Sequence, residues 1–368
     1  MAFQGTRLEV DLDALAHNFQ FLKSRIPDDT LFMSVVKANA YGHGAVTVAQ
    51  KLQKLETDYF AVAYVEEAVE LRNAGIVKPI LTLHPQIHTL EICIDRCIEP
   101  VIYSMEMLEK FSAFAKAKSQ QSYPIHLEFN TGMNRLGIDP LEIPKALELV
   151  HKNPAIKVIG LQSHLAASED LDEKEFTLSQ IKKFNDICNR IEKELGYKCL
   201  RHTDNTSGIL NYDSGHYNMV RSGIGLYGYG NDKNHDVNLK PIASLISNIS
   251  QISHVKKGES ISYNRSYKAE KDTTYAVIAL GHGDGINRIY GYGKASVHIH
   301  GKAAPTLGII CMDMFMVDVT DIPSKVGDEV IVFNLQYPAS NIAEHAGTIS
   351  YELLTGIQRR VPRIYLNR

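Results

Sequence analysis

Val35-Val36-Lys37-Ala38-Asn39-Ala40-Tyr41-Gly42-His43-Gly44 places a lone lysine at the end of an apolar run, inside a turn of small residues. A lysine at a strand end, beside backbone that can approach a ligand closely, can form a Schiff base with a carbonyl compound. By spacing alone it reads more readily as a rim lysine that snorkels to water. Six further polar residues stand at or just beyond the ends of other β-like runs. Arg135 stands in Asn130-Thr131-Gly132-Met133-Asn134-Arg135-Leu136-Gly137. His164 follows the next run, then His202, Asn205 and Thr206, and Arg221 opens Arg221-Ser222-Gly223-Ile224. One such residue carries little meaning, whereas seven at successive strand ends form the pattern of a site.

Those residues need strands to carry them. Strand-like runs fall at 31–36, 59–63, 79–83, 99–103, 125–129, 157–162, 199–203 and 217–221, with helical periodicity between most of them, as at 65–73, 105–118 and 173–195. Asp11 can cap a first helix whose apolar face is Leu12, Leu15, Ala16, Phe19 and Leu22. Eight alternating units predict an α/β fold, an N-terminal (β/α)8 TIM-type barrel over 11–232, whose site lies beyond the C-terminal strand ends. After about residue 235 helical periodicity fades. Short β runs at 243–255, 274–280, 295–300, 305–310, 315–319, 328–333 and 362–366 predict a C-terminal mainly-β domain, 239–368, joined by residues 1–10 as an extra strand. Asn231–Asn238 reads as the linker.

The 368 residues exceed one domain of about 150 and suit two or three. A net charge of −3 with no basic run argues against a nucleic-acid or membrane surface. The opening Met-Ala-Phe-Gln-Gly-Thr-Arg lacks the layout of a signal peptide, and no apolar run is long enough to span a bilayer, so a cytoplasmic location is expected. The five cysteines make no even framework. Cys93 and Cys97 lack a second pair for zinc, so no metal site is expected.

Four motifs, in order along nearly the whole chain, resemble those of the alanine racemase family: Lys37-Ala-Asn-Ala-Tyr-Gly-His-Gly, Asn130-Thr-Gly-Met-Asn-Arg-Leu-Gly, Val220-Arg-Ser-Gly-Ile-Gly-Leu-Tyr-Gly and Ile310-Cys-Met-Asp-Met. The resemblance implies interconversion of L- and D-alanine for peptidoglycan, with pyridoxal phosphate on Lys37. Tyr41, Thr206, Tyr351 and the backbone near Gly223 and Ile224 would face its phosphate. His202 and Asn205 would also belong to the cofactor-binding set, with His202 holding Arg221 at the pyridine nitrogen. Arginine cannot accept that nitrogen's proton, because its own pKa exceeds about 12, so the ring stays neutral. A weak electron sink suits simple reprotonation and disfavours transamination.

Racemisation also needs a base on the opposite face of the substrate. The resemblance assigns Tyr263, from a partner subunit along with Met312 and Asp313, to that face. His164 and Arg135 would assist, and Arg135 with the Met312 N–H would bind the carboxylate. This implies a homodimer with composite sites. Two departures stand out. Glu128 occupies the place of a lysine that is carbamylated in many members, so it is expected to pair with Arg135. His282 replaces a tyrosine near the entrance. A serine or broader racemase, a related decarboxylase and a non-catalytic pyridoxal-phosphate binder are the competing readings. Arg221 argues against the decarboxylase; Tyr263 and Met312-Asp313 argue against the binder.

Overall fold

In the computed structural model, which describes residues 5–213 and 216–367, alternation of Leu8 and Val10 with polar neighbours gives a half-buried strand, β1 (Arg7–Asp11). Residues 1–4 of the segment assigned to the β domain lie outside the described residues. Eight strands then run parallel: β2 (Leu31–Val35), β3 (Tyr59–Val62), β4 (Ile80–Thr82), β5 (Glu99–Ile102), β6 (Tyr123–Glu128), β7 (Ile156–Gln162), β8 (Leu200–His202) and β9 (Met219–Ser222). β2, β3 and β4 are near-continuous apolar runs because helices cover their outer faces, while β6, β8 and β9 also carry polar residues of the site. Their order is β8-β7-β6-β5-β4-β3-β2-β9. The Arg221 N–H donates to the Asp204 carbonyl at 3.0 Å, which brings β9 against the chain leaving β8 and closes the barrel.

Between strands, helices 45–54, 65–73, 105–117, 143–152 and 174–195 turn their apolar stripes inward, as Val48, Ala49 and Leu52 do in the first. Ser104 caps helix 105–117 by accepting the Met107 N–H, and Gly196 ends helix 174–195 in the left-handed region (φ 77°). The last barrel strand is followed by a 3-10 turn, Ile224–Tyr227, and by a short helix, Lys233–Asp236, within the stretch read from sequence as the linker.

The chain divides into two compact units. One holds Ala16–Ala40 and Ala45–Leu239; the other holds the segment ending at Leu15, Tyr41–Gly44, and everything from Lys240. The second unit is built on β10 (Ala243–Val255) with β11 (Ser260–Ile261), β12 (Tyr267–Lys268), β13 (Thr273–Ile278), β14 (Ser296–Ile299), β15 (Lys302–Leu307), β16 (Phe315–Asp318), β17 (Glu329–Phe333) and β18 (Arg363–Leu366). Its main sheet runs β13-β16-β15-β14-β17-β10-β1-β18. The 13-residue β10 also pairs with β13 beyond a register shift at Ile249/Gln251, so one strand serves two ladders. Two helices, Ala339–His345 and Ser350–Gly356, separate β17 from β18, where sequence periodicity pointed to no helix.

Tyr41–Gly44 is bound into this second unit. Arg363 donates from Nε and Nη2 to the Gly42 carbonyl at 3.0 and 2.9 Å. Gly42 has φ 89°, and a Cβ there would overlap the Leu354 carbonyl oxygen, so no larger residue fits.

Candidate active site

Lys37 leaves β2 into backbone of the wrong hand for L-residues. Ala38, Asn39, Ala40 and Tyr41 have φ of 51°, 57°, 53° and 52°. Each such residue costs about 1–2 kcal/mol, so the turn has to be held from outside. Glu67, in the first turn of helix 65–73, does this: Oε1 accepts the Ala38 N–H at 2.6 Å, while Oε2 accepts Ala63 N–H at 2.7 Å and Tyr64 N–H at 3.2 Å. Ala40 N–H bonds the Val36 carbonyl and Ala45 N–H bonds Asn39 Oδ1. Burial holds the Lys37 ammonium below the ordinary lysine range. Arg135 pushes the same way, Glu67 opposes, and Arg221 adds to the lowering.

Arg221, on β9, is fixed by a dense set of hydrogen bonds. Nη1 donates to His202 Nδ1 (2.6 Å) and to the His202 carbonyl (2.8 Å). Nη2 donates to the carbonyls of Ser163 (2.8 Å) and Thr203 (2.9 Å), with His164 Nδ1 at 3.4 Å. Four of the five guanidinium protons are therefore committed, and Nε–H has no partner among the described residues. Burial lowers Arg221 to about 10, which still leaves it charged at neutral pH. His202 and His164 are held well below the ordinary imidazole range, by burial first and Arg221 second, so both are neutral.

Around them Arg135, Glu128, Ser163 and His164 line one small pocket. The expected Glu128–Arg135 pair does not form: Glu128 accepts instead from Gln162 Nε2 at 3.0 Å. Burial pushes the Glu128 carboxyl up, against the Gln162 hydrogen bond and the fields of Arg221 and Arg135. The exposed Arg135 acts on Glu128 through its field and makes no ion pair with it. Beyond β8, Asn205 caps helix 206–211 by accepting Gly208 N–H at 2.9 Å, and takes a bond from Ser168 Oγ at 2.8 Å. Thr206 Oγ1 lies 3.0 Å from Ser222 Oγ and accepts Gly225 N–H at 3.2 Å, joining the ends of β8 and β9 beside Gly223 and Ile224. A Cβ at Gly225 would overlap Thr206 Cγ2, so the close approach depends on glycine.

The second unit holds the remaining predicted residues in two groups. Tyr41 is buried, with its ring centroid 6.0 Å from that of Tyr351. Burial raises the Tyr41 hydroxyl above the usual tyrosine range. Tyr263 is 72% exposed in a strained turn, with Ser262, Asn264 and Arg265 all at positive φ. Ser262 Oγ donates to the Ile309 carbonyl, and Ile309 N–H bonds Ser266 Oγ at 3.1 Å, so the turn is tied to the chain that runs into Met312. Gly308 makes this contact possible, since a Cβ would crowd Ser262 and Ser266. The Met312 carbonyl accepts Gly283 N–H at 2.8 Å, and its own N–H has no partner among the described residues. Arg360 bonds Asp284 at 2.7 Å and Asp313 at 2.8 Å. His282 is exposed beside this loop.

Glu67, His126, Glu99 and Arg360 escaped the sequence reading. Of these, His126 alone left a trace: it lies two residues before Glu128, on the same face of β6.

The residues present fit pyridoxal phosphate. The barrel unit gathers the cations Lys37, Arg135 and Arg221, whose fields act on one another and on the buried Glu128, which suits an anionic ligand. The leftover Arg221 Nε–H is a buried donor that would suit a neutral ring nitrogen, and Lys37 is an amine with lowered basicity. Barrel, strand-end lysine, buried arginine and separate β domain together define the class of the barrel-type, pyridoxal-phosphate-dependent amino-acid racemases.

The chain matches "Alanine racemase, N-terminal domain" over residues 10–231 and "Alanine racemase, C-terminal domain" over 242–365. It is 39% identical to alanine racemase 1 of Clostridium acetobutylicum, over 97% of this chain and 94% of that one. Among solved structures, alanine racemase from Bacillus anthracis with bound L-Ala-P superposes with a TM-score of 0.91 at 30% identity, covering 100% and 96% of the two chains. Alanine racemase from Bartonella henselae with covalently bound pyridoxal phosphate gives 0.88 at 28%, covering 98% and 99%. The chain belongs to the alanine racemase family, and the activity is the interconversion of L- and D-alanine.

Proposed function

We propose that the reaction runs by two bases, Lys37 and Tyr263, on opposite faces of alanine, in a homodimer whose sites each combine the barrel of one copy with Tyr263, Met312 and Asp313 of the other. The observation that carries this reading is Arg221, a buried cation with a single uncommitted donor, Nε–H. Pyridoxal phosphate, when bound, supplies the electron withdrawal that acidifies the substrate α C–H. Lys37 carries it, and the lowered basicity of its amine leaves a larger neutral fraction able to attack a carbonyl or take a proton near neutral pH. Arg221 keeps the ring nitrogen in its weakly withdrawing form, because a guanidinium has no lone pair to give or proton to spare.

Tyr41, Tyr351, Thr206 and the backbone at Gly223 and Ile224 are the proposed phosphate holders, with Asn205 and His202 bracing them. Arg135 and the Met312 N–H are proposed to fix the substrate carboxylate, supported by Glu128, His164 and Asp313. The 72% exposure of Tyr263 in one copy agrees with a side chain whose working surroundings come from a second copy. We also place the reaction in the cytoplasm, supplying D-alanine for peptidoglycan; a depletion defect that added D-alanine fails to relieve contradicts that setting.

Borohydride treatment of the yellow holoenzyme should bleach its visible band and leave the cofactor on Lys37. Incubation with L-alanine in deuterated water should yield both enantiomers with deuterium at the α carbon. Label on another lysine, or carbon dioxide release in place of racemisation, overturns the reading.

A further inference from the structure

Beyond His202 the hydrogen bonds continue to a carboxylate. His202 Nε2 lies 2.9 Å from His126 Nδ1, and His126 Nε2 lies 3.0 Å from Glu99 Oε2. The two imidazoles are fully buried, with ring centroids 5.1 Å apart and planes at 69°. The direction of every bond follows from the arginine end. A guanidinium donates and never accepts, so His202 Nδ1 must carry a lone pair toward Arg221. Neutral His202 then holds its proton on Nε2, which can only donate to His126 Nδ1. His126 in turn holds its proton on Nε2 and donates to the Glu99 carboxylate. No other assignment satisfies all three contacts.

The backbone makes room for this line. The register of β6 against β7 shifts between Ile125 and His126, which sets His126 opposite Gly160. A Cβ on Gly160 would overlap the His126 imidazole. A buried imidazole pair is costly unless each nitrogen is satisfied, and a terminal carboxylate fixes both tautomers.

We propose that Glu99 and His126 are positioning residues of the racemase: through His202 they hold Arg221 so that its Nε–H alone is left for the cofactor ring nitrogen. The line spans β5, β6, β8 and β9, so the orientation of Arg221 is set from strand to strand across the barrel interior. This rests on the reading above that Arg221 faces the ring nitrogen.

The test uses 15N-histidine-labelled protein and 15N-labelled pyridoxal phosphate. In the wild-type protein both His202 and His126 should resonate as Nε2–H tautomers, and either one found as Nδ1–H overturns the proposal. Glu99→Leu should release both tautomers, move the ring-nitrogen resonance and visible band of the holoenzyme, and lower kcat about tenfold with KM within about twofold. Glu99→Gln keeps an acceptor for His126 and should retain the wild-type tautomers and kcat within about threefold. A fall in kcat in Glu99→Leu with tautomers and cofactor resonance unmoved overturns the proposal in favour of a packing role. Should Glu99→Leu fold poorly, the wild-type tautomers and Glu99→Gln decide. A protonated ring nitrogen in the wild-type holoenzyme, with both tautomers as expected, would instead remove the reading of Arg221 and leave the histidine line standing.

Discussion

Glu67 holds Ala38: a single carboxylate oxygen accepts the Ala38 N–H at 2.6 Å, and its twin accepts the N–H groups of Ala63 and Tyr64. The direction in which Lys37 projects thus depends on a residue thirty positions away, at the start of a different helix. The same carboxylate raises the Lys37 amine, against the lowering by burial and Arg135.

Two effects of Glu67→Gln follow. The neutral amide keeps one oxygen for the backbone, so the turn should persist with a loss of about 1–2 kcal/mol in unfolding free energy. Removing the negative charge deletes the opposing influence on Lys37, and its pKa should fall further. Modification of Lys37 in the apoenzyme by an amine-selective reagent should therefore reach half-maximal rate at lower pH than in the wild type. A shift to higher pH would show that the loss of turn geometry outweighs the loss of charge.

Glu128 lends itself to a stability measurement. Its carboxyl is raised above the ordinary value by burial, so the native protein takes up a proton before the unfolded chain does. The native state therefore binds more protons over the interval between about 4.5 and the raised value, and stability from this group falls as pH rises through that interval. Above it, the ionised buried carboxylate is a standing cost. Glu128→Gln should unfold at a higher temperature than the wild type at pH 7, with the gap closing as pH approaches about 4.5. If the gap widens toward acid pH, the carboxylate is stabilised by its neighbours. The same variant tests its role: unchanged racemase activity and unchanged alanine KM would remove Glu128 from the support of Arg135.

The strand-end residues were legible because each stands at or just past the end of a β-like run, and barrel geometry then gathers such ends. The runs themselves carry polar residues, such as Gln162 and Ser163 before His164 and Arg201 before His202, so the strand count was needed to place them. The turn after Lys37 was not legible: Ala-Asn-Ala-Tyr has ordinary right-handed preferences, and the left-handed path is held by Glu67 on the Ala38 N–H and by Asn39 Oδ1 accepting the Ala45 N–H. The helix carrying Tyr351 was hidden for a related reason, lying inside a stretch whose texture is otherwise β. The family resemblance suggested the Glu128–Arg135 pair, but Gln162 donates to the carboxylate instead. Tyr263 came from resemblance alone, since an exposed tyrosine in a polar turn carries no local sign of chemistry.

Arg360 should act on substrate binding more than on turnover. It joins Asp284 to Asp313, and Met312 lies between the two loops with its carbonyl turned to Gly283 and its N–H left free of described partners. Arg360→Met keeps the length of the side chain and removes the fork. With the loop loosened, the KM for alanine should rise by about an order of magnitude while kcat changes by less than about threefold. A proportional fall in kcat with an unchanged KM would place Arg360 in the chemical step instead.

Tyr263→Phe separates the two faces. A tyrosine hydroxyl that removes or delivers the α proton on one face serves one enantiomer as base and the other as acid. Loss of a positioned base costs about 10²- to 10⁴-fold. The effect on proton abstraction should fall on one enantiomer, because Lys37 still reaches the α hydrogen of the other. Deuterium entry from solvent into each enantiomer, measured before net racemisation, should therefore persist for one and collapse for the other. Equal residual exchange from both would mean that one base serves both faces, with Tyr263 outside the proton path. The stability of the variant offers a control: an exposed hydroxyl in a turn fixed by Ser262, Ser266 and Gly308 contributes little to folding, so its melting temperature should match the wild type.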